Sequence, residues 1–204
     1  MSTKLSITET TLQILALFTH GFDRQYYIRE VGTLLFISPR AAQLNLESLE
    51  SRGVLASTTR GKIRLFRLQH NALAKEYLLL AEQHKTITFL QHNPIIHEIT
   101  DKATPHMQGI CLVFGSYARG SEKKGSDLDV FIAGSADKTR LTAIGKTYGI
   151  GVHLTVYSPD IFLRGIRSDA LVREVLQDHV VIADAGKFIR AVISSDDHVV
   201  LEKA

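Results

Sequence analysis

One cysteine in 204 residues excludes an intrachain disulfide, and Cys111 stands inside an apolar run, where a packing role suits it better than reactivity. No apolar stretch approaches the length of a membrane span, and the first residues lack a signal-peptide pattern. No membrane partner is therefore expected, and a cytoplasmic location is. No repeat or low-complexity segment is visible. His92, His97, His106, His179 and His198 show no metal-ligand spacing and read as structural or surface residues. The 45% hydrophobic and 22% charged composition is that of a soluble globular protein, and the length suits two small domains or one of medium size.

Charge is unevenly placed. Residues 1–70 hold nine Lys/Arg against five Asp/Glu, a net of +4, while residues 71–204 hold fifteen against sixteen. A basic first third hints at a polyanionic partner for that part alone. There, Leu12, Leu15, Leu17 and Phe18 repeat at helical spacing, which predicts a helix over 8–18 stopping by Gly21. A second short helix is read over 28–36. Ser38 and Pro39 then supply an N-cap and a proline at the first helical position, so a third helix runs to Arg52 and ends at Gly53. Ala42, Leu46 and Leu49 give it one apolar face. Two β-rich runs over 54–59 and 63–68, joined by residues 60–62, carry a hairpin signal.

Three helices followed by a basic-tipped hairpin resemble a winged helix-turn-helix domain. The resemblance implies duplex DNA as a partner, with the third helix as the recognition helix. Pro39, Arg40, Gln43 and Leu44 would face the major groove, and Arg60, Lys62, Arg64 and Arg67 would arm the wing against phosphates. Leu44 departs from the pattern, because a base-reading helix usually offers a polar or basic side chain there. The same fold also serves as a protein-interaction module. A helix over 71–91 follows as a linker. Its Leu73, Tyr77, Leu80, His84 and Ile87 are spaced to suit a helix–helix seam, either within its own domain or in a homodimer.

The stretch richest in chemistry is residues 115–129, Gly-Ser-Tyr-Ala-Arg-Gly-Ser-Glu-Lys-Lys-Gly-Ser-Asp-Leu-Asp. Apolar runs at 110–114 and 130–133 flank it, so Gly115 and Ser116 fall on a strand-to-helix turn. Glycine there admits a phosphate to the backbone, and a helix N-terminus offers free N–H donors and a favourable dipole. Asp127 and Asp129, two apart on a strand, point to one face and can hold a divalent cation that bridges to nucleotide phosphates. Arg119, just after the turn, is a further candidate for phosphate contact, whereas Lys123 and Lys124 read as solvent-facing loop residues.

Gly115-Ser116, ten intervening residues and Asp127-Leu128-Asp129 resemble the core motif of DNA polymerase β-type nucleotidyltransferases. The minimal nucleotidyltransferase branch is the nearest match, over residues 85–204. The resemblance implies a small mixed sheet and transfer of a nucleoside monophosphate from an NTP, ATP foremost, to a hydroxyl acceptor with Mg²⁺ or Mn²⁺. It also implies a protein acceptor, since such proteins are often paired as antitoxins with HEPN-type partners. The family's third carboxylate comes from a neighbouring strand. The corresponding strand here reads Val-His-Leu-Thr-Val-Tyr over 152–157, and His153 stands at that place. Imidazole is a poor ligand for Mg²⁺ but an effective general base at neutral pH. His153 is thus either a working base or a polar residue on a strand that has lost its carboxylate, with Asp160 as a possible substitute.

Further elements are read as helices over 94–104, 137–146, 160–166, 169–177 and 186–193, with strands over 151–157 and 180–183. The expected fold is α+β in two domains: a winged helix-turn-helix over 1–70, a linker helix over 71–92 and a nucleotidyltransferase domain over 93–204 with helices on one side of its sheet. Two functions remain open. One is a nucleotidyltransferase fused to a DNA-binding module; the other is a DNA-binding regulator whose second domain binds nucleotide without turnover.

Overall fold

The computed structural model describes residues 7–201, with side chains through Ile193. The chain divides into two compact units, Met1–Ala81 and Glu82–Ala204. In the first, α1 (Glu9–Thr19) begins where the Thr8 hydroxyl accepts from the Thr11 amide at 3.2 Å, and it buries Ile14, Leu15 and Phe18. β1 (Tyr26–Tyr27), α2 (Ile28–Leu34) and α3 (Pro39–Ser51) follow. Ser38 caps α3 through its hydroxyl, which accepts from the Ala41 amide at 3.1 Å, and Ala42, Leu46 and Leu49 are buried as the spacing required.

β2 (Leu55–Arg60) and β3 (Ile63–Leu68) form the hairpin. Arg60 pairs with Ile63, so the connection is the two residues Gly61 and Lys62 rather than three. β1 pairs with β3 through Tyr26–Phe66 and Tyr27–Leu65, giving the antiparallel order β1-β3-β2. Three helices and this small sheet make a winged helix-turn-helix.

α4 (Ala72–His92) runs across the division between the units. It buries Ala74, Tyr77, Leu78 and Ala81 in the first and Glu82 and Phe89 in the second. Within the chain the spaced residues do not form one buried face: Tyr77 is buried while Leu73, Leu80 and Ile87 are exposed. The inward row runs 74-78-81, and the seam leucines lie one position away, rotated off that face.

The second unit contains α5 (Pro94–Ala103), β4 (Met107–Phe114), α6 (Gly115–Ala118), β5 (Leu128–Ala136), α7 (Lys138–Thr147) and β6 (Val152–Tyr157). α8 (Pro159–Ser168), α9 (Ala170–Gln177), β7 (His179–Ala183) and α10 (Ala185–Leu201) complete it. The sheet order is β6-β5-β4-β7; β5 and β6 are parallel and the other pairs antiparallel. Helices cover both faces, not one. Cys111, Val113, Val130 and Ile132 pack with Ile96, Ile99 and Leu141 of α5 and α7. On the opposite face Phe131 meets Phe162 of α8, with ring centroids 5.7 Å apart. The reason lies in β4: residues 110–114 are an unbroken apolar run, and all five are buried, as a strand covered on both sides demands.

His179 is fully buried, its Nε2 3.2 Å from Glu82 Oε1 and its Nδ1 3.2 Å from the Leu176 carbonyl oxygen. Lys85 Nζ donates to the same Glu82 oxygen at 3.1 Å. Among the described residues no helix is long and apolar enough to cross a membrane.

Candidate functional site

Strand register brings the motif residues together. Asp129 pairs with Phe114 on one side and with His153 on the other, while Leu128 pairs with Val152. The C-terminal end of β4 therefore meets the N-terminal ends of β5 and β6. At that end Gly115 has φ +71°, and a Cβ there would overlap the Asp129 carboxylate. Across the sheet a Cβ on Gly151 would overlap the Asp127 carboxylate, and the Gly151 carbonyl accepts from the Leu128 amide at 2.8 Å. Two glycines thus make room for two carboxylates. Asp127 is exposed and Asp129 half-buried.

His153 Nδ1 lies 3.3 Å from Asp129 Oδ1, and the imidazole is 73% exposed. With Asp129 ionised, Nδ1 carries the hydrogen, and in the neutral ring Nε2 is the nitrogen able to accept a proton. Asp160 sits on α8, past the C-terminal end of β6, whereas His153 stands near that strand's N-terminal end beside Asp129. Among the described residues no three His, Cys, Asp or Glu side chains converge as a metal-ligand group.

The strand-to-helix turn forms at Gly115 and Ser116, and the helix it opens is short. α6 has four residues, ending with Arg119 as its cap and Gly120 at φ +62°. One turn supplies little macrodipole, so any phosphate preference here comes from local N–H groups rather than from a long helix. Ser116 is half-buried and its carbonyl accepts from the Ser121 amide at 3.0 Å; the Arg119 side chain is exposed. Burial pushes the Tyr117 phenol up from its ordinary range, helped by the charges of Glu122 and Asp127. Lys123 and Lys124 are exposed.

Sequence reasoning missed Gly151. Nothing beside it in the chain marks it, and its importance appears only once β5 and β6 are laid in register. Cys111 is buried as expected, and burial pushes its thiol up to about 12.

In the first unit Arg40, Pro39 and Leu44 are exposed on α3, and Arg60, Lys62 and Arg67 are exposed on the hairpin. Arg64 is not available in the way expected of a phosphate contact. Its guanidinium pairs with Glu50, reaches Glu47 at 3.5 Å, donates to the Ser57 hydroxyl at 2.9 Å and lies over the Phe66 ring. The Ser57 hydroxyl, donating to Glu50, holds that carboxyl below its ordinary range; burial opposes the shift and Arg64 assists it. Gln43 is half-buried and donates to Glu47 at 2.9 Å. The α3 acids thus clasp the wing, a bond between elements that no linear spacing announced.

Residues 111–186 match the nucleotidyltransferase domain family. That span runs from β4 through β7 and contains Gly115, Asp127, Asp129 and His153. Among curated proteins, none matches the chain. Similar solved structures include the adhesin competence repressor AdcR from Streptococcus pyogenes, at 22% identity over 47% of this chain and 69% of that one, with TM-score 0.38. ZitR of Lactococcus lactis in complex with DNA aligns at 20% identity over 50% of this chain and 65% of that one, with TM-score 0.36. A toxin-antitoxin structure with AMP-PNP aligns at 22% identity over 54% of this chain and 90% of that one, with TM-score 0.35. At such scores the fold is read from the chain's own topology.

Proposed function

We propose that the second unit is a nucleotidyltransferase that moves a nucleoside monophosphate from an NTP, foremost ATP, to a hydroxyl acceptor, and that the first unit binds duplex DNA. One observation carries the catalytic reading: the Asp127 and Asp129 carboxylates both lie at the sheet end where Gly115 and Ser116 turn, each beside a glycine that makes room for it. Two carboxylates suit one hard divalent cation, Mg²⁺ or Mn²⁺, which when bound neutralises phosphate charge. An imidazole in third place does not suit a second Mg²⁺.

The chain's own residues supply the rest. Gly115 and Ser116 offer backbone to the phosphates. Asp129 accepts from His153 Nδ1 and so fixes the tautomer whose Nε2 takes the proton of the acceptor hydroxyl. The hydroxyl oxygen bonds to the α-phosphorus, the bond from that phosphorus to the bridging oxygen breaks, and pyrophosphate leaves. A protein of HEPN type is the expected acceptor. The second reading, a regulator that binds nucleotide without turnover, is favoured by the same imidazole standing where a carboxylate belongs.

Labelled ATP incubated with the chain and a co-expressed partner separates the two. Transfer by the wild type that falls with His153→Gln supports the enzyme with a working base. No transfer by the wild type, but transfer by His153→Asp, supports the regulator descended from an enzyme. No transfer by either, with Mg·ATP still bound, leaves the regulator alone.

A further inference from the structure

The outward face of α3 carries an unusual reader, and the inference drawn from it rests on the DNA-binding reading of the first unit. A base-reading helix ordinarily presents free amides, carboxylates or guanidinium groups to the groove. On α3 most such groups are already committed. Gln43 Nε2 donates to Glu47, and Gln43 Oε1 lies 3.5 Å from Arg40 Nη1. Asn45 donates to the Ala41 carbonyl at 3.0 Å and accepts from the Thr11 hydroxyl at 2.8 Å. Glu47 and Glu50 hold Arg64. Ser51 donates back to the Ser48 carbonyl at 2.9 Å.

Two large side chains on α3 remain presented to solvent. Arg40 is exposed, and Leu44, one helical turn later on the same face, is 51% exposed. Charge says what kind of surface comes to meet them. Arg40, with Arg60 and Lys62 exposed at the hairpin tip, sits in a segment of net charge +4, which suits a polyanion and not a purely apolar protein surface. On the major-groove edge of duplex DNA the one apolar group is the C5-methyl of thymine.

We propose that Leu44 reads thymine methyl groups in the major groove, so that the first unit prefers sites with thymine beneath the middle of α3. Specificity then comes from apolar contact, while Arg40, Arg60 and Lys62 position the helix on the phosphates without reading sequence.

The test uses the full chain. Duplexes bound from a random pool at low salt are recovered, and the tightest is remade with deoxyuridine in place of every thymidine. That change removes the methyl groups and leaves the base-pairing edges intact. Wild type should bind the uracil duplex about four- to fifteenfold more weakly, the value of one or two buried methyl groups. Leu44→Ala should bind the thymine duplex with a comparable loss and show no thymine-over-uracil ratio; Leu44→Met should keep that ratio. Arg60→Ala with Lys62→Ala should weaken both duplexes alike and leave the ratio unchanged. Circular dichroism checks that each variant folds. Duplex binding with a ratio of one in the wild type, or an unchanged ratio in Leu44→Ala, overturns the proposal and leaves the DNA reading intact. If no duplex is recovered at low salt, the DNA reading itself fails, and this face serves a protein partner.

Discussion

The carboxylate of Asp129 occupies the space that a side chain at Gly115 would need. The glycine therefore does two things: it adopts φ +71°, and it lets a carboxylate from the neighbouring strand lie against the turn. Gly115→Ala should cost about 1–3 kcal/mol in denaturant unfolding and should displace Asp129, weakening metal-dependent nucleotide binding at least tenfold. Gly151→Ser should act likewise through Asp127. Full nucleotide affinity in Gly115→Ala would show that the carboxylate has no need of the place it holds.

With His153 as the base, transfer should depend on its imidazole, because a ring nitrogen takes the proton of the acceptor hydroxyl. His153→Gln should lower the rate about 10²–10⁴-fold, with ATP affinity within a few-fold of wild type. Rate measurements at saturating ATP decide it; an unaltered rate in the glutamine variant contradicts the assignment.

Arg64 and the hairpin-tip residues should separate cleanly in DNA binding. Removing Arg60 and Lys62 together should shallow the dependence of log K on log salt by about two, as expected for two lost phosphate contacts. Arg64→Ala should leave the slope unchanged. It should instead destabilise the winged unit by about 1 kcal/mol, a modest figure because the pair is partly solvated. Glu50 supplies the pH signature. Its folded pKa is depressed, so its contribution is present above the ordinary glutamate range and is lost as pH falls through the lowered folded value. Thermal unfolding between neutral and acid pH should show this loss in the wild type and a smaller one in Arg64→Ala.

The Cys111 thiol, pushed up to about 12 by burial, should resist a thiol-specific chromogenic reagent at pH 8 in the folded chain and react at once in denaturant. Fast labelling of the native protein would mean that β4 is not the buried strand described.

Much of this was legible in the chain because the signals were local. Ser38-Pro39 announced α3, the apolar run at 110–114 announced β4, and the spacing of Gly115 to Asp129 announced the segment that matches the nucleotidyltransferase domain family. What was not legible depends on partners distant in sequence. Tyr26–Tyr27 is too short to show a period, and it is a strand only because β3 lies beside it. Gly151 matters through Asp127, twenty-four residues earlier. Arg64 read as a phosphate contact until Glu47 and Glu50 came across from α3. Within the chain, tertiary packing buries the α4 row through Ala74, Leu78 and Ala81 and leaves Leu73, Leu80 and Ile87 exposed, a choice between neighbouring apolar rows that spacing alone does not make.

The central claim is that Asp127 and Asp129 form, with the Gly115 turn, a metal-dependent nucleotide site. Calorimetric titration of ATP into the full chain, with Mg²⁺ or Mn²⁺ and again with chelator, tests it most directly. The account predicts binding with the cation, at least tenfold weaker binding without it, and loss of the difference in Asp127→Asn with Asp129→Asn. Equal ATP affinity with and without divalent cation in the wild type would contradict it.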